Sequence, residues 1–209
     1  PASRLGGWGG VLVWALLLGS TLTYVCLAGL IELLSSIHWL LVSLIFFVVG
    51  FVMFMVPVVP GLAVYLCGGI LLVQRCREPF GGGEGGFYLA ILWASFLSWI
   101  LKMIAHVGQQ KLFGEQLGTY VSIRAKCQIN SNAMKAVTYL VSRPGLSVAK
   151  VCILCGGPDW PTSVVCGILR KADPPSINTA QLVVGLTPMV LLIVPTCLAA
   201  AFQLRITNG

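Results

Sequence analysis

The chain has 209 residues; 57 % are hydrophobic and only 9 % charged, and 13 Lys and Arg outnumber 6 Asp and Glu for a net charge of +7. Soluble domains carry ~25 % charged residues, so an ordinary soluble globular protein is excluded. Long apolar runs, without the ~10-residue alternating segments of barrel strands, predict an all-α, polytopic helical membrane protein rather than a β-barrel.

In a membrane protein the positive balance reads as positive-inside bias and attraction to anionic headgroups. The expected partners are therefore membrane lipids and other membrane-protein subunits, with no nucleic acid. The expected localisation is integral and multi-pass, in a membrane the residues do not name. Eight cysteines lie mostly within apolar runs. Cys152-x-x-Cys155 has a metal or redox spacing but no second pair or nearby His, so no metal is expected and the thiols read as small apolar residues. The chain begins at Pro1 rather than Met, which suggests a processed or partial piece of something longer.

In chain order, residues 11–34 are the first expected span, with Glu32 near its end. Residues 37–56 form the second, made an antiparallel neighbour by the turn at Ser35-Ser36. Then comes Pro57-Val58-Val59-Pro60-Gly61-Leu62-Ala63-Val64-Tyr65-Leu66-Cys67-Gly68-Gly69-Ile70-Leu71. It is apolar enough for membrane depth. Proline removes an N–H and glycine weakens a helix, however, so one straight spanning helix is disfavoured. Broken backbone survives inside a bilayer only where protein or a wet cavity covers it, and 57–73 is therefore expected to be re-entrant. Gln74–Gly86 is a polar connector dense in glycine, and no Gly-Lys-Ser/Thr follows to make a phosphate loop. Residues 87–105, with Trp93, Phe96 and Trp99, are the third span, from whose end Lys102 is expected to snorkel outward.

Residues 106–145 change character. Lys111, Arg124, Lys126, Lys135 and Arg143 face the single acid Glu115. Ile123, Cys127, Met134, Val137 and Val141 share one helical face, Arg124 and Lys135 lie roughly opposite, and Asn130 interrupts the stripe. This predicts an amphipathic helix over ~119–142 on the membrane surface. Residues 146–169 are the second broken segment. Gly157-Pro158-Asp159-Trp160-Pro161-Thr162-Ser163-Val164-Val165-Cys166-Gly167-Ile168-Leu169 repeats the Pro-x-x-Pro opening and the Cys-Gly and Ile-Leu close. Paired Gly/Pro-interrupted apolar segments point to a transporter-type site. After the polar loop Arg170–Pro175, residues 180–203 make the last span, with kinks expected at Pro188 and Pro195. The expected domain is single, 1–209, with about four spans and two re-entrant segments. The charges place 106–150 and Arg170-Lys171 on the cytosolic-equivalent side.

The Pro57–Gly69 pattern resembles the first re-entrant segment of the DedA/VTT superfamily, of the SNARE-associated Golgi protein type. Gly114-Glu115-Gln116-Leu117-Gly118 is similar to that family's Gly-x-x-x-Gly step, and Gly156–Ser163 sits where its second re-entrant segment would be. The resemblance covers roughly residues 40–203. It implies two re-entrant loops meeting in the membrane and a role in lipid scrambling or transport. Two departures stand out: no acid lies beside Pro57 and Gly61, and Thr162-Ser163 replaces the arginines of bacterial members. In the family those charges are tied to proton coupling, so simple proton coupling is not expected here.

The candidate lipid-binding residues are Pro57, Pro60, Gly61, Tyr65, Pro158, Asp159, Pro161, Thr162 and Ser163, with Arg143 and Lys150 at the mouth to attract phosphate. Asp159 is the one acid in either motif, and capping of the helix near Pro161 is its competing structural role. The rival reading is a structural accessory subunit of a large photosynthetic or respiratory membrane complex. Aromatic-rich spans, an incomplete chain and the lack of a charged site suit it, and in that reading His38 and His106, near span ends, are axial ligands to chlorophyll or haem. The lipid reading needs no cofactor. An enzyme is not expected, because no Ser-His-Asp, His-Glu-x-x-His or paired-carboxylate arrangement is present.

Overall fold

The computed structural model describes residues 37–57, 59–171 and 177–208. The expected span 11–34, Glu32, Val58 and most of the 170–175 loop lie outside these residues. Among the described residues the fold is all-helical, with no strand. The helices are α1 (Trp39–Met55), α2 (Gly61–Cys76), α3 (Gly83–Gly108), α4 (Val121–Lys126), α5 (Asn132–Ser142), α6 (Val148–Gly156), α7 (Asp159–Lys171), α8 (Thr179–Leu186) and α9 (Val190–Asn208). A π-helical turn, Gln109–Gly114, and a final turn, Glu115–Leu117, extend α3, while a 3₁₀ turn, Thr187–Met189, joins α8 to α9.

Among the described residues, two helices are long and apolar enough to cross a membrane: Gly83–Leu117, of 35 residues and mean hydropathy 1.7, and Thr179–Ile206, of 28 residues and mean hydropathy 2.3. This is fewer than the four spans expected. The 37–56 run yields α1, 17 residues long, which at 1.5 Å per residue covers about 26 Å of a ~30 Å hydrocarbon core. The chain divides into two compact units, one running to Ser98 and resuming at Val194, the other Trp99–Ile193.

In the first unit, α1 opens with His38 as its cap, whose Nδ1 accepts the Leu40 N–H at 3.3 Å. It ends at Val56, which turns extended (φ −89°, ψ 119°) ahead of Pro57, as a residue before proline must. Pro60, also extended, starts α2. Phe54 and Tyr65 meet across the corner with ring centroids 6.0 Å apart. The Gly68-Gly69 pair does not break α2, which runs on to Cys76. The glycines instead admit neighbours: a Cβ on Gly69 would lie 2.6 Å from the Cys197 carbonyl oxygen and 2.8 Å from its Cα. Near the other end, Trp93 Nε1 donates to Ser43 Oγ at 3.1 Å, and Ser43 Oγ donates back to the Trp39 carbonyl at 3.0 Å. Gly81, Gly82 and Gly83 all have positive φ and make the turn into α3.

In the second unit, the expected helix over ~119–142 is two helices. The chain breaks between Lys126 and Asn132, where Gln128 adopts φ 49° and Ser131 caps α5 by accepting the Met134 N–H. Ile123, Cys127, Met134 and Val137 are half-buried and Val141 is buried, while Lys135 is exposed, so the apolar face is used although the helix is interrupted. α6 and α7 meet at a 119° bend over Gly157-Pro158. At that corner a Cβ on Gly157 would lie 2.6 Å from Thr162 Oγ1. Pro188 falls in the 3₁₀ turn, and Pro195 is carried inside α9.

Gly69→Ala is expected to lower stability by about 1–3 kcal/mol, because backbone atoms cannot move aside as side chains can. Gly85→Ala, with nothing within 4 Å of the added methyl, should leave stability equal or raise it by about 0.5–1 kcal/mol. Thermal melts of the detergent-solubilised variants check both; equal behaviour of the two would refute the close crossing.

Candidate functional site

The second unit is organised by a ladder between α3 and α7. On α3 and its π turn, Lys102, His106, Gln110, Gly114 and Gly118 recur every four residues; on α7, Asp159, Ser163, Gly167 and Lys171 do the same. Residues four apart share one face of a helix. The first two facing pairs, Lys102 with Asp159 and His106 with Ser163, advance together along both chains, so the two helices run parallel, and the register shifts by four residues across the π turn, where Gly114 meets Gly167 and Gly118 meets Lys171. Each rung is a different contact.

At the first rung, Lys102 Nζ lies 2.7 Å from Asp159 Oδ1, with the lysine side chain 1 % exposed and the aspartate 23 %. Lys102 therefore does not snorkel: a counter-charge inside the fold replaces the water it would otherwise seek. The Asp159 carboxylate is correspondingly engaged by an ammonium rather than serving only as the cap of the helix it begins. At the second rung, Ser163 Oγ lies 2.6 Å from His106 Nδ1 and donates to the Asp159 carbonyl at 2.9 Å. With its proton committed to that carbonyl, the hydroxyl accepts from Nδ1–H, which leaves Nε2 as the lone-pair nitrogen. His106 is 1 % exposed. Its Nε2 and both amide atoms of Gln110 are buried without a hydrogen-bond partner among the described residues. Buried polar atoms of this kind are costly, so their concentration beside one ion pair marks the seam as chemically distinct from the apolar packing around it.

The lower rungs are close approaches. A Cβ on Gly114 would lie 2.5 Å from the Val164 carbonyl oxygen and 2.7 Å from Gly167 Cα, and one on Gly167 would strike the Gln110 carbonyl. One on Gly118 would lie 2.8 Å from Lys171 Cβ. Small residues four apart let helix backbones touch, and in a bilayer that packing is a main source of helix association. The π turn falls where Gly114 crosses α7. Arg170 Nη1 reaches Glu115 Oε1 at 3.0 Å, and the Phe113 and Trp160 ring centroids are 5.8 Å apart.

The other expected site residues fall in different places. In the first unit, Pro57 and Pro60 are exposed in the α1–α2 corner, Gly61 is buried, and Tyr65 is 1 % exposed with its carbonyl accepting from Cys197 Sγ at 3.4 Å. In the second, Pro158 sits in the bend, Pro161 in the first turn of α7, and the Thr162 N–H donates to the Pro158 carbonyl at 3.1 Å. Arg143 is exposed, its guanidinium 5.2 Å from the Tyr139 ring centroid. Lys150, expected at a mouth, is fully buried: its ammonium donates to the carbonyls of Arg143 and, at 3.0 Å, Gly145. It closes the C-terminal end of α5 internally. His38 is exposed with Nδ1 used in capping, and His106 is enclosed by α7. The sequence points to Asp159 and Ser163, but not to Lys102 and His106 as their partners; the four-residue ladders are the available signal.

Lys102→Met alone is expected to destabilise the protein by about 3–5 kcal/mol, since it strands a largely buried carboxylate. The double variant Lys102→Met/Asp159→Leu should recover most of that loss. Denaturation of the single and double variants in detergent measures it, and a double variant no more stable than the single would show the pair to be uncoupled.

No protein-family model, no curated protein and no solved structure matches this chain.

Proposed function

We propose that this protein is a VTT-like membrane protein that carries phospholipid headgroups between leaflets, with the Lys102–Asp159 pair at the α6–α7 bend as its polar station. The observation that carries the reading is that pair: an ammonium and a carboxylate 2.7 Å apart, set at the start of a helix bent 119° from its predecessor. Ionisable groups within membrane helices are expensive and usually belong to a transported species' path. Broken apolar helices supply the same kind of site in transporters. On this reading, 146–169 and the Pro57–Val73 stretch are the re-entrant segments.

The chemistry is exchange of partners. A headgroup phosphate is a stronger multidentate acceptor than one carboxylate oxygen, so it can take the Lys102 ammonium as it passes. Asp159, partly exposed, is then available to a headgroup amine. Neither protein charge is left bare at any point, which keeps the desolvation cost of the step low. His106 and Ser163, one turn along, hold the two helices in register while the pair opens.

The test is translocation of fluorescent phospholipid in proteoliposomes, read by dithionite quenching. The native chain should exceed protein-free vesicles, and Asp159→Asn should slow translocation about tenfold or more. The Lys102→Met/Asp159→Leu variant separates fold from function, because it should be stable yet inactive. Activity in that variant equal to native, or none in the native chain, would sink the reading. Bound pigment or haem in the purified protein would favour the accessory-subunit reading instead.

A further inference from the structure

A second charged feature lies in the first unit, where α2 ends, α3 begins and α9 ends. A cleft of about 400 Å³ opens there, lined by Val73, Arg77, Glu78, Phe87, Leu204 and Arg205 among others. Both guanidinium groups lie over the Phe87 ring, Arg77 Cζ at 5.9 Å and Arg205 Cζ at 5.4 Å from its centroid. Their commitments differ. Arg205 forms a two-point pair with Glu84, at 2.9 and 2.5 Å. Arg77 uses Nε to hold the Gly83 carbonyl at 3.2 Å, which fixes the arginine and leaves its terminal nitrogens for an acceptor. Glu78, next to it in sequence, is exposed and makes no ion pair among the described residues. The cleft thus offers one anchored guanidinium and one carboxylate over a floor of Val73, Phe87 and Leu204.

We propose that this cleft binds the zwitterionic headgroup of an aminophospholipid, with phosphate on Arg77 and primary ammonium on Glu78. Charge decides the class. Arg77 and Arg205 are balanced by Glu78 and Glu84, so a purely anionic headgroup would meet an uncompensated carboxylate, whereas a zwitterion matches both signs. Geometry of the cation decides between zwitterions. A quaternary ammonium cannot donate to Glu78 and favours an open aromatic face; Phe87 is the only ring among the lining residues, and two guanidinium groups already cover it. A primary ammonium has three N–H donors and needs no ring. Location decides for a lipid over a soluble ligand: charged residues clustered at the ends of apolar helices sit at headgroup depth, and the apolar floor suits the glycerol and first acyl carbons. The proposal does not rest on translocation, only on a membrane setting.

The experiment is calorimetric titration of the purified full chain with dihexanoyl phosphatidylethanolamine, phosphatidylcholine and phosphatidylglycerol, and with free phosphoethanolamine. Phosphatidylethanolamine should bind saturably and about tenfold more tightly than the other three, the size of one lost charge-assisted hydrogen bond. Glu78→Gln should erase its advantage over phosphatidylcholine, and Arg77→Gln should weaken every phospholipid about tenfold. The Glu78 side chain makes no hydrogen bond or ion pair among the described residues, so its variant remains informative if Arg77→Gln unfolds. Absence of saturable binding, or an intact preference in Glu78→Gln, would overturn the proposal. Free phosphoethanolamine binding as tightly as the lipid would overturn its assignment to a lipid.

Discussion

The buried pair between Lys102 and Asp159 is the constraint on which the second unit depends. Neither charge is tolerable alone in an apolar helical setting, so each fixes where the other must be. Asp159 is the first residue of α7 and Lys102 lies deep in α3. Joining them brings the start of one helix to the middle of another. The bend at Gly157-Pro158 makes that possible, since α6 must end and turn before α7 can begin beside Lys102. Proline and glycine at the corner are therefore the backbone counterpart of the ion pair.

Once the first rung is set, the helical repeat sets the others. Four residues on, His106 meets Ser163; eight on, the Gln110 backbone meets Gly167. The contacts change from ionic to hydrogen-bonded to bare backbone along the seam. As they do, the side chains shrink and the helices come closer. A seam polar at one end and glycine-tight at the other holds two parallel helices firmly at one end, leaving chemistry at the other.

Among its described residues, the first unit solves a similar problem without buried charge. Gly68 and Gly69 let α2 lie against the side chains of Phe46 and Ser98 and the backbone of Cys197. Its charged residues collect at helix ends, where Glu84 and Arg205 tie the start of α3 to the end of α9. In both units the Cys-Gly step of the two related motifs, Cys67-Gly68 and Cys166-Gly167, falls at a close helix contact. The recurrence has that packing reason, whatever its history.

Sparse charge and long apolar runs without strand alternation pointed, from the sequence alone, to an all-helical chain with helices able to cross a membrane, because too few charged residues exist to cover a soluble surface. Pro57-x-x-Pro60 and Pro158-x-x-Pro161 located both helix corners, since a missing N–H acts locally and needs no partner to be felt. The apolar stripe of 119–142 was legible as a face but not as two helices; the Gln128 turn is a backbone choice that side-chain periodicity does not carry. The Gly68-Gly69 pair read as a weakness, yet packing against Cys197 makes it an advantage. Span lengths and the division into two units were decided by tertiary packing. So were the fates of Lys102 and Lys150. A lysine near a helix end snorkels only if nothing inside can pair with it, and whether a carboxylate 57 residues away or a set of open carbonyls arrives at its ammonium is settled only when the chain is folded.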